Sequence, residues 1–323
     1  MVKRSRAYSK RRVSMFIVDS HCDSVTTTHA AEKGIINVYN FSQRRKQLQF
    51  VAMFSGSPGE SEEDCFGKLC RYTGIFDISM ACESDKIIPV RTYADIERAA
   101  AEGKHAALLT VESATGMKKS PELLSRFYRA GVRVVGLTWL SNGLAKSNRV
   151  FDDGEEDTGL SKAGRAFVKA GNDLGMIWDV SHASDKTFWD LAELSEKPVI
   201  ATHSNFRSLC SHSRNLTDDM ALHIISSGGM IGLNLAPAFI SDGEDRTVGH
   251  LFRHLDHCLE LGGENNIGFG CDIDGIGSYP SPLTLERSIH DQLIDFMQKY
   301  YTERIVDKVA GENYLGYLKK YLN

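Results

Sequence analysis

Met176-Ile177-Trp178-Asp179-Val180-Ser181-His182 is a short apolar run that turns polar at its last residues. Runs of the same kind occur at Phe16–Asp19, Leu48–Phe54, Ala106–Glu112, Val132–Thr138, Val199–His203, Met230–Leu235 and Ile267–Asp272. Near-continuous apolar stretches of this length suit parallel strands buried on both faces. Between them lie amphipathic segments at Tyr93–Glu102, Pro121–Ala130, Ser161–Leu174, Ser184–Leu194, Thr217–Ser227 and Gly249–Leu261. Thr217-Asp218-Asp219 supplies a cap and carboxylates to one helix N-terminus, and Gly228-Gly229 ends that helix. Eight strands alternating with helices predict a (β/α)8 TIM barrel. A doubly wound open sheet is the alternative, and it would show a Gly-rich phosphate loop after strand one. The chain instead reads Asp19-Ser20-His21-Cys22-Asp23 there.

The length of 323 residues fits one such barrel with extensions. The excursions are expected at 55–92 and 142–160, the second holding the acidic run Asp152-Asp153-Gly154-Glu155-Glu156-Asp157, read as a solvated loop. Residues 283–323 read as helices packing on the outside of the barrel. Hydrophobic residues make up 42% and charged residues 25%, which excludes wholesale disorder. A net charge of -4 gives no electrostatic footprint for nucleic acid, and none is expected as a partner. No apolar run approaches the ~18 residues of a membrane span. Seven Cys without a CxxC pair read as free thiols rather than a disulfide framework. Residues 1–14 carry Lys3, Arg4, Arg6, Lys10, Arg11 and Arg12 but no following apolar core of a signal peptide. They read as a disordered arm before a single barrel domain at 15–323, in a cytoplasmic protein.

The chemistry lies where strands end. In a (β/α)8 barrel, the C-terminal strand ends form the active-site face. Strand one ends in His21-x-Asp23, strand three in Glu112, strand five in His182, strand six in His203 and strand eight in Asp272. Extended residues two apart share a face, so His21 and Asp23 can grip one ion together. His182 and His203 can hold a second, and the two oxygens of Glu112 can bridge the pair. Five such residues read as packing would each need a buried partner. Imidazole plus carboxylate without thiolate suits Zn²⁺, with Mn²⁺, Fe²⁺ or Co²⁺ as alternatives. Two divalent ions can share a hydroxide and polarise a carbonyl, with Asp272 as the proton acceptor. Cys22 and Cys271 are left out of the site. The remaining histidines, at 29, 105, 212, 223, 250, 254, 257 and 290, are assigned to surface or helix positions.

These segments, with Thr202-His203-Ser204-Asn205, Arg214-Asn215-Leu216-Thr217-Asp218-Asp219 and Gly268-Phe269-Gly270-Cys271-Asp272-Ile273-Asp274-Gly275, resemble the membrane dipeptidase (renal dipeptidase-like) family of zinc metallopeptidases in the amidohydrolase superfamily. The resemblance covers nearly all of residues 15–323. It implies two zinc ions, one on His21 and Asp23 and one on His182 and His203, bridged by Glu112. It implies that Asp272 holds the bridging water and relays its proton. It implies that Arg214 grips the terminal carboxylate of a dipeptide, a role suited to a guanidinium fork. Tolerance of a D-residue at that end and homodimerisation are further family expectations.

The renal type reads Leu-Thr-His after strand four, and its His helps hold substrate. Here the segment is Leu137-Thr138-Trp139-Leu140-Ser141-Asn142. The Trp139 N–H donates but carries no positive charge and no acceptor, so Asn142 is the expected replacement donor, with Trp139 beside the substrate. The lack of a signal peptide and lipid-anchor tail points to a soluble relative. The leading reading is a dipeptidase. Alternatives are lactone, cyclic-amide or phosphoester hydrolysis on the same metals, or a catalytically silent binding barrel. The absence of a His-x-His pair on strand one favours the dipeptidase.

Overall fold

The computed structural model describes residues 16–36, 41, 42, 44–117 and 120–323, apart from the side chains of Pro121 and Asp152. The basic arm at 1–14 lies outside these residues. In chain order the strands are β1 Ile17–Cys22, β2 Gln47–Met53, β3 Ile87–Val90, β4 His105–Val111, β5 Val134–Gly136, β6 Ile177–Asp179, β7 Ile200–Ala201, β8 Met230–Leu233 and β9 Ile267–Phe269. All pairings between them are parallel. β2 pairs directly with β4, in a register running from Leu48↔Ala106 to Met53↔Val111. β1 pairs with both β2 and β9, so eight strands close into the expected barrel.

β3 was not anticipated. It falls inside the presumed excursion at 55–92 and pairs with the first half of β4, while β5 pairs with the second half. Its sequence, Ile-Ile-Pro-Val, is short and carries Pro89, a residue tolerated where a strand has a free edge. The rest of that excursion is the helix Glu62–Cys82, started by a capping box between Ser61 and Asp64. The other helices begin where their caps dictate: Ser161, Ser184 and Thr217 each accept from a first-turn amide of the helix that follows.

The barrel is filled by side chains that alternate along its strands. Val18, Phe50, Leu108, Val134, Ile177, Ile200 and Met230 form one buried cluster, joined by Tyr314, Leu315 and Leu318 of the helix Asn313–Tyr321. That last helix therefore plugs the N-terminal end of the barrel, where a purely external position was expected. Tyr314 Oη lies 2.7 Å from Ser20 Oγ at the barrel centre. The helix Ile289–Tyr300 does pack outside, with Leu293 and Met297 in the outer core. Near the centre the backbones close in: a Cβ at Gly232 or Gly270 would sit within the van der Waals shell of the Thr202 carbonyl oxygen.

Among the described residues no helix is long and apolar enough to cross a membrane. All seven cysteines are free. In the acidic loop, Asp153, Glu155 and Glu156 are exposed as read from sequence, but Asp157 accepts from Ser184 Oγ at 2.6 Å and the Lys186 amide at 2.9 Å. That carboxylate fastens the loop to the N-terminus of the helix Asp185–Leu194.

Candidate metal centre

His21 and Asp23 leave the end of β1, Glu112 directly follows β4, His182 follows β6, His203 follows β7 and Asp272 follows β9. All six are buried and converge at the C-terminal face. Two local features aim them. The β1–β2 register shifts between Asp19 and Cys22, a bulge of the kind that re-aims side chains. Asp19 and His21 therefore part company: Asp19 accepts from His290 Nε2 at 2.7 Å, while His21 enters the centre. Then the ends of β1 and β9 interlock, with the Asp272 amide donating to His21 O and the Asp23 amide to Ile273 O. Asp272 and Asp274 have φ of 59° and 68°, a left-handed conformation costing on the order of 1–3 kcal/mol outside glycine. It is found here at the turn that presents the carboxylate.

The donors crowd together. His182 Nε2 lies 2.8 Å from Glu112 Oε1 and 3.0 Å from His203 Nε2, which is itself 3.7 Å from that oxygen. His21 Nε2 is 3.3 Å from Asp23 Oδ2, 3.9 Å from Glu112 Oε1 and 3.8 Å from Asp272 Oδ1. Yet it is a buried nitrogen without a properly formed hydrogen bond. A network behind His203 sets its tautomer. Thr202 Oγ1 donates to Asp179 Oδ2 at 2.5 Å, so it accepts from the Nδ1–H of His203 at 2.8 Å. That leaves the lone pair of Nε2 facing the centre, the arrangement typical of a metal-ligating imidazole.

Electrostatics follow from burial. Desolvation pushes His182 and His203 well below the usual imidazole range, aided by Arg214 and His21. Desolvation also opposes a charge on His21, but Asp23, Glu112 and Asp272 outweigh it and hold that imidazole up at about 10. Burial first, then the neighbouring Asp23, raises both Glu112 and Asp272, against the pull of His21 and Arg214. Such a set of carboxylates is costly without a cation, and divalent ions would relieve it.

The residues fit metal ions by several independent signs. His21, Glu112 and His203 offer one group of mutually close ligand atoms, and His21, Asp23 and Asp272 another. Gly275 leaves room for the second group, because a Cβ there would collide with the carboxylates of Asp23 and Asp272. Imidazoles and carboxylates make up the donors. The Cys22 and Cys271 thiols stay out, buried and pushed up by desolvation. A third close group, Asp19, Cys271 and His290, lies behind the centre and is explained by the Asp19–His290 bond.

The centre forms the floor of a cavity of about 510 Å³, within the size range of small-ligand sites. Phe54, Trp139, Arg149, His212, Arg214, Phe239 and Ile276 complete its walls. Arg214 is buried, with Nη1 donating to Ser181 O and Nη2 3.3 Å from His182 Nε2. Trp139 lines the cavity and packs edge-on against Phe54 at 5.0 Å. Asn142 does not reach the cavity. Its Nδ2 donates to Thr115 Oγ1 and Leu137 O, and its Oδ1 accepts from the Leu144 and Ala145 amides. A side chain spent on shaping its own loop has no donor left for a substrate.

Sequence reasoning passed over several residues. Asn234 donates to Asp272 Oδ2 at 3.0 Å and to His203 O at 3.2 Å, fixing the carboxylate. It lies just past the end of β8, and that position was its available signal. His212 lines the cavity, and His290, on the helix Ile289–Tyr300, is fully buried against Asp19. His254 and His257 have separate structural partners, Phe206 N with Ile240 O and Asp218 respectively, and no joint site.

A closed parallel barrel with buried histidines and carboxylates gathered at the C-terminal strand ends is the arrangement of a metal-dependent barrel enzyme. Residues 8–321 match the family model of the membrane dipeptidase, peptidase family M19, and the chain belongs to that family of metallopeptidases that cleave peptide bonds. A Klebsiella pneumoniae protein described as an uncharacterized protein in the pqqA 5′ region is 35% identical over 233 residues, 70% of this chain and 86% of its own length. A Rhodobacter sphaeroides metallopeptidase, solved with a phosphinate mimic of L-Ala-D-Ala, superimposes with a TM-score of 0.81 at 23% identity, covering 95% of this chain and 99% of that one. A further M19 dipeptidase superimposes at 0.80 with 24% identity, covering 96% and 99%. At these identities the structural likeness establishes the shared fold.

Proposed function

We propose that the chain is a binuclear zinc dipeptidase in which His21 and Asp23 would hold one ion, His182 and His203 a second, and Glu112 would serve both. The observation that carries this reading is the facing Nε2 pair of His182 and His203 beside Glu112 Oε1, together with the orphaned Nε2 of His21. When bound, two divalent cations supply Lewis acidity for a scissile carbonyl and lower the pKa of an attacking water.

The chain's own residues supply the rest. Asp272, held by Asn234, takes the proton of the attacking water and passes it to the leaving nitrogen. Arg214 turns its fork to the terminal carboxylate of a dipeptide, which restricts the substrate to a free C-terminal acid. Trp139 and Phe54 form an apolar wall in place of a substrate-binding histidine and exclude water from one side. The liganded Rhodobacter relative supports including L,D-dipeptides among the substrates. The chain would act in the cytoplasm.

The test is metal analysis paired with an L,L- and L,D-dipeptide screen, with lactones and phosphoesters as controls. About two zinc ions per chain and dipeptide turnover are expected. Ester or lactone turnover without dipeptide cleavage would transfer the site to another hydrolytic reaction. Peptide binding by a metal-free protein that never cleaves would make it a silent barrel.

A further inference from the structure

The cavity holds a second guanidinium beside that of Arg214. Arg149 stands just before the short helix Val150–Asp153, in the segment that follows β5, and lines the same cavity as the metal centre. Its Cζ lies 5.5 Å from the centroid of the Trp139 ring, in a cation–π contact. Trp139 in turn lies 6.1 Å, ring to ring, from His182. Arg149 is thus tied by one aromatic residue to the reacting centre.

Its bonding leaves the charge available. Arg214 is buried and engaged with backbone carbonyls, as a residue set to orient a substrate end would be. The Arg149 guanidinium is exposed, and its side chain has no carboxylate partner among the described residues. Lys146, three residues before it, is paired with Glu155, and Arg207 with Asp185. Basic neighbours on these loops find acids, whereas Arg149 is laid over an indole and faces the cavity. A pre-oriented fork on an aromatic face binds a planar carboxylate with less loss of freedom than a mobile side chain does.

Resting on the dipeptidase reading above, we propose that Arg149 is a specificity residue that recognises a second carboxylate, so that the preferred substrates are dipeptides bearing an aspartyl or glutamyl side chain. The terminal carboxylate goes to Arg214 and the side-chain carboxylate to Arg149. The Trp139 ring orients Arg149 rather than the substrate's polar groups. This accounts for an indole at a position where a second polar contact to the dipeptide would otherwise stand.

The experiment compares kcat/KM of the metal-loaded enzyme on Ala-Asp, Ala-Glu, Asp-Ala and Glu-Ala with that on their isosteric amides, Ala-Asn, Ala-Gln, Asn-Ala and Gln-Ala. The same ratios are measured for Arg149→Met and Arg149→Lys. The wild type should favour at least one acid over its amide by about tenfold or more. Arg149→Met should bring that ratio close to one, mainly through KM, and Arg149→Lys should retain an intermediate preference. Because each ratio is taken within one protein, a general loss of folding or metal cancels. Dipeptide turnover without acid preference, or a preference that survives Arg149→Met, overturns this proposal and leaves the dipeptidase reading standing. A metal-loaded enzyme that cleaves no dipeptide in the wider screen overturns both.

Discussion

His182 and His203, from the ends of adjacent strands, face each other through their Nε2 atoms at 3.0 Å, with Glu112 Oε1 2.8 Å from the first and 3.7 Å from the second. The hydrogen-bond chain Asp179–Thr202–His203 leaves the His203 Nε2 without a proton. An imidazole lone pair and a carboxylate aimed at one point are stable when a cation lies between them.

His203→Ala should lower the metal content from about two ions per chain to one or none and cut dipeptide turnover by more than ~100-fold, the upper range for loss of a mere outer-sphere partner. Thr202→Val should weaken metal binding by about 10–100-fold with the ligands intact. Elemental analysis and chelator titration measure both, and full metal content in His203→Ala would remove that residue from the site.

Asp272→Asn tests the proton acceptor. The amide can keep its contact with Asn234 but cannot accept a proton at neutral pH. The expected result is a fall in kcat of about 10²–10⁴-fold with KM little changed. A fall in KM-linked binding alone would assign Asp272 to substrate holding.

Arg214→Met should raise KM for dipeptides by about tenfold or more, while C-terminally amidated dipeptides, already poor substrates, should lose little. Equal losses on acid and amide would show that Arg214 acts through its contacts to Ser181 and His182 instead.

The metal-free protein should be less stable at alkaline pH. His21 sits at about 10 in the folded chain against about 6.5 when unfolded, so its contribution is fully present below that lower value and fades as pH rises toward 10. Glu112 and Asp272, also raised, act in the same direction from lower pH. His182 and His203 are lowered, so their contribution is lost only as pH falls below about 6.5. Denaturation midpoints of chelated protein should therefore fall between pH 7 and 9.5, and the gain on adding metal should widen over that range. A midpoint that climbs over it would contradict the charge balance described.

Gly270→Ala tests the crowded barrel centre. The added methyl would meet the Thr202 carbonyl and the Gly232 backbone, neither of which can swing aside. A loss of about 1–3 kcal/mol, read by chemical denaturation, is expected from overpacking of this kind. Gly316→Ala, in the helix Asn313–Tyr321 where a Cβ meets nothing within 4 Å, is the comparison and should lose no stability, gaining up to about 1 kcal/mol from helix propensity.

The sequence by itself determined the barrel and named the candidate ligands that its strand ends gather. Apolar runs such as Met176–Ser181 specify buried parallel strands, and the polar residues closing them fall on one face because all strands run the same way. Cap residues such as Ser184 and Thr217 fixed where helices start. Only the tertiary structure decided matters that rest on long-range contacts. β3 exists because β4 offers it an edge, and the last helix plugs the barrel because Tyr314 reaches Ser20. Asn142 is consumed by its loop, whereas Arg149, unremarkable in sequence, stands over Trp139 in the cavity. Periodicity and strand-end chemistry are local and can be read along a chain. Which polar group is spent on its own backbone and which is left for a ligand depends on neighbours distant in sequence.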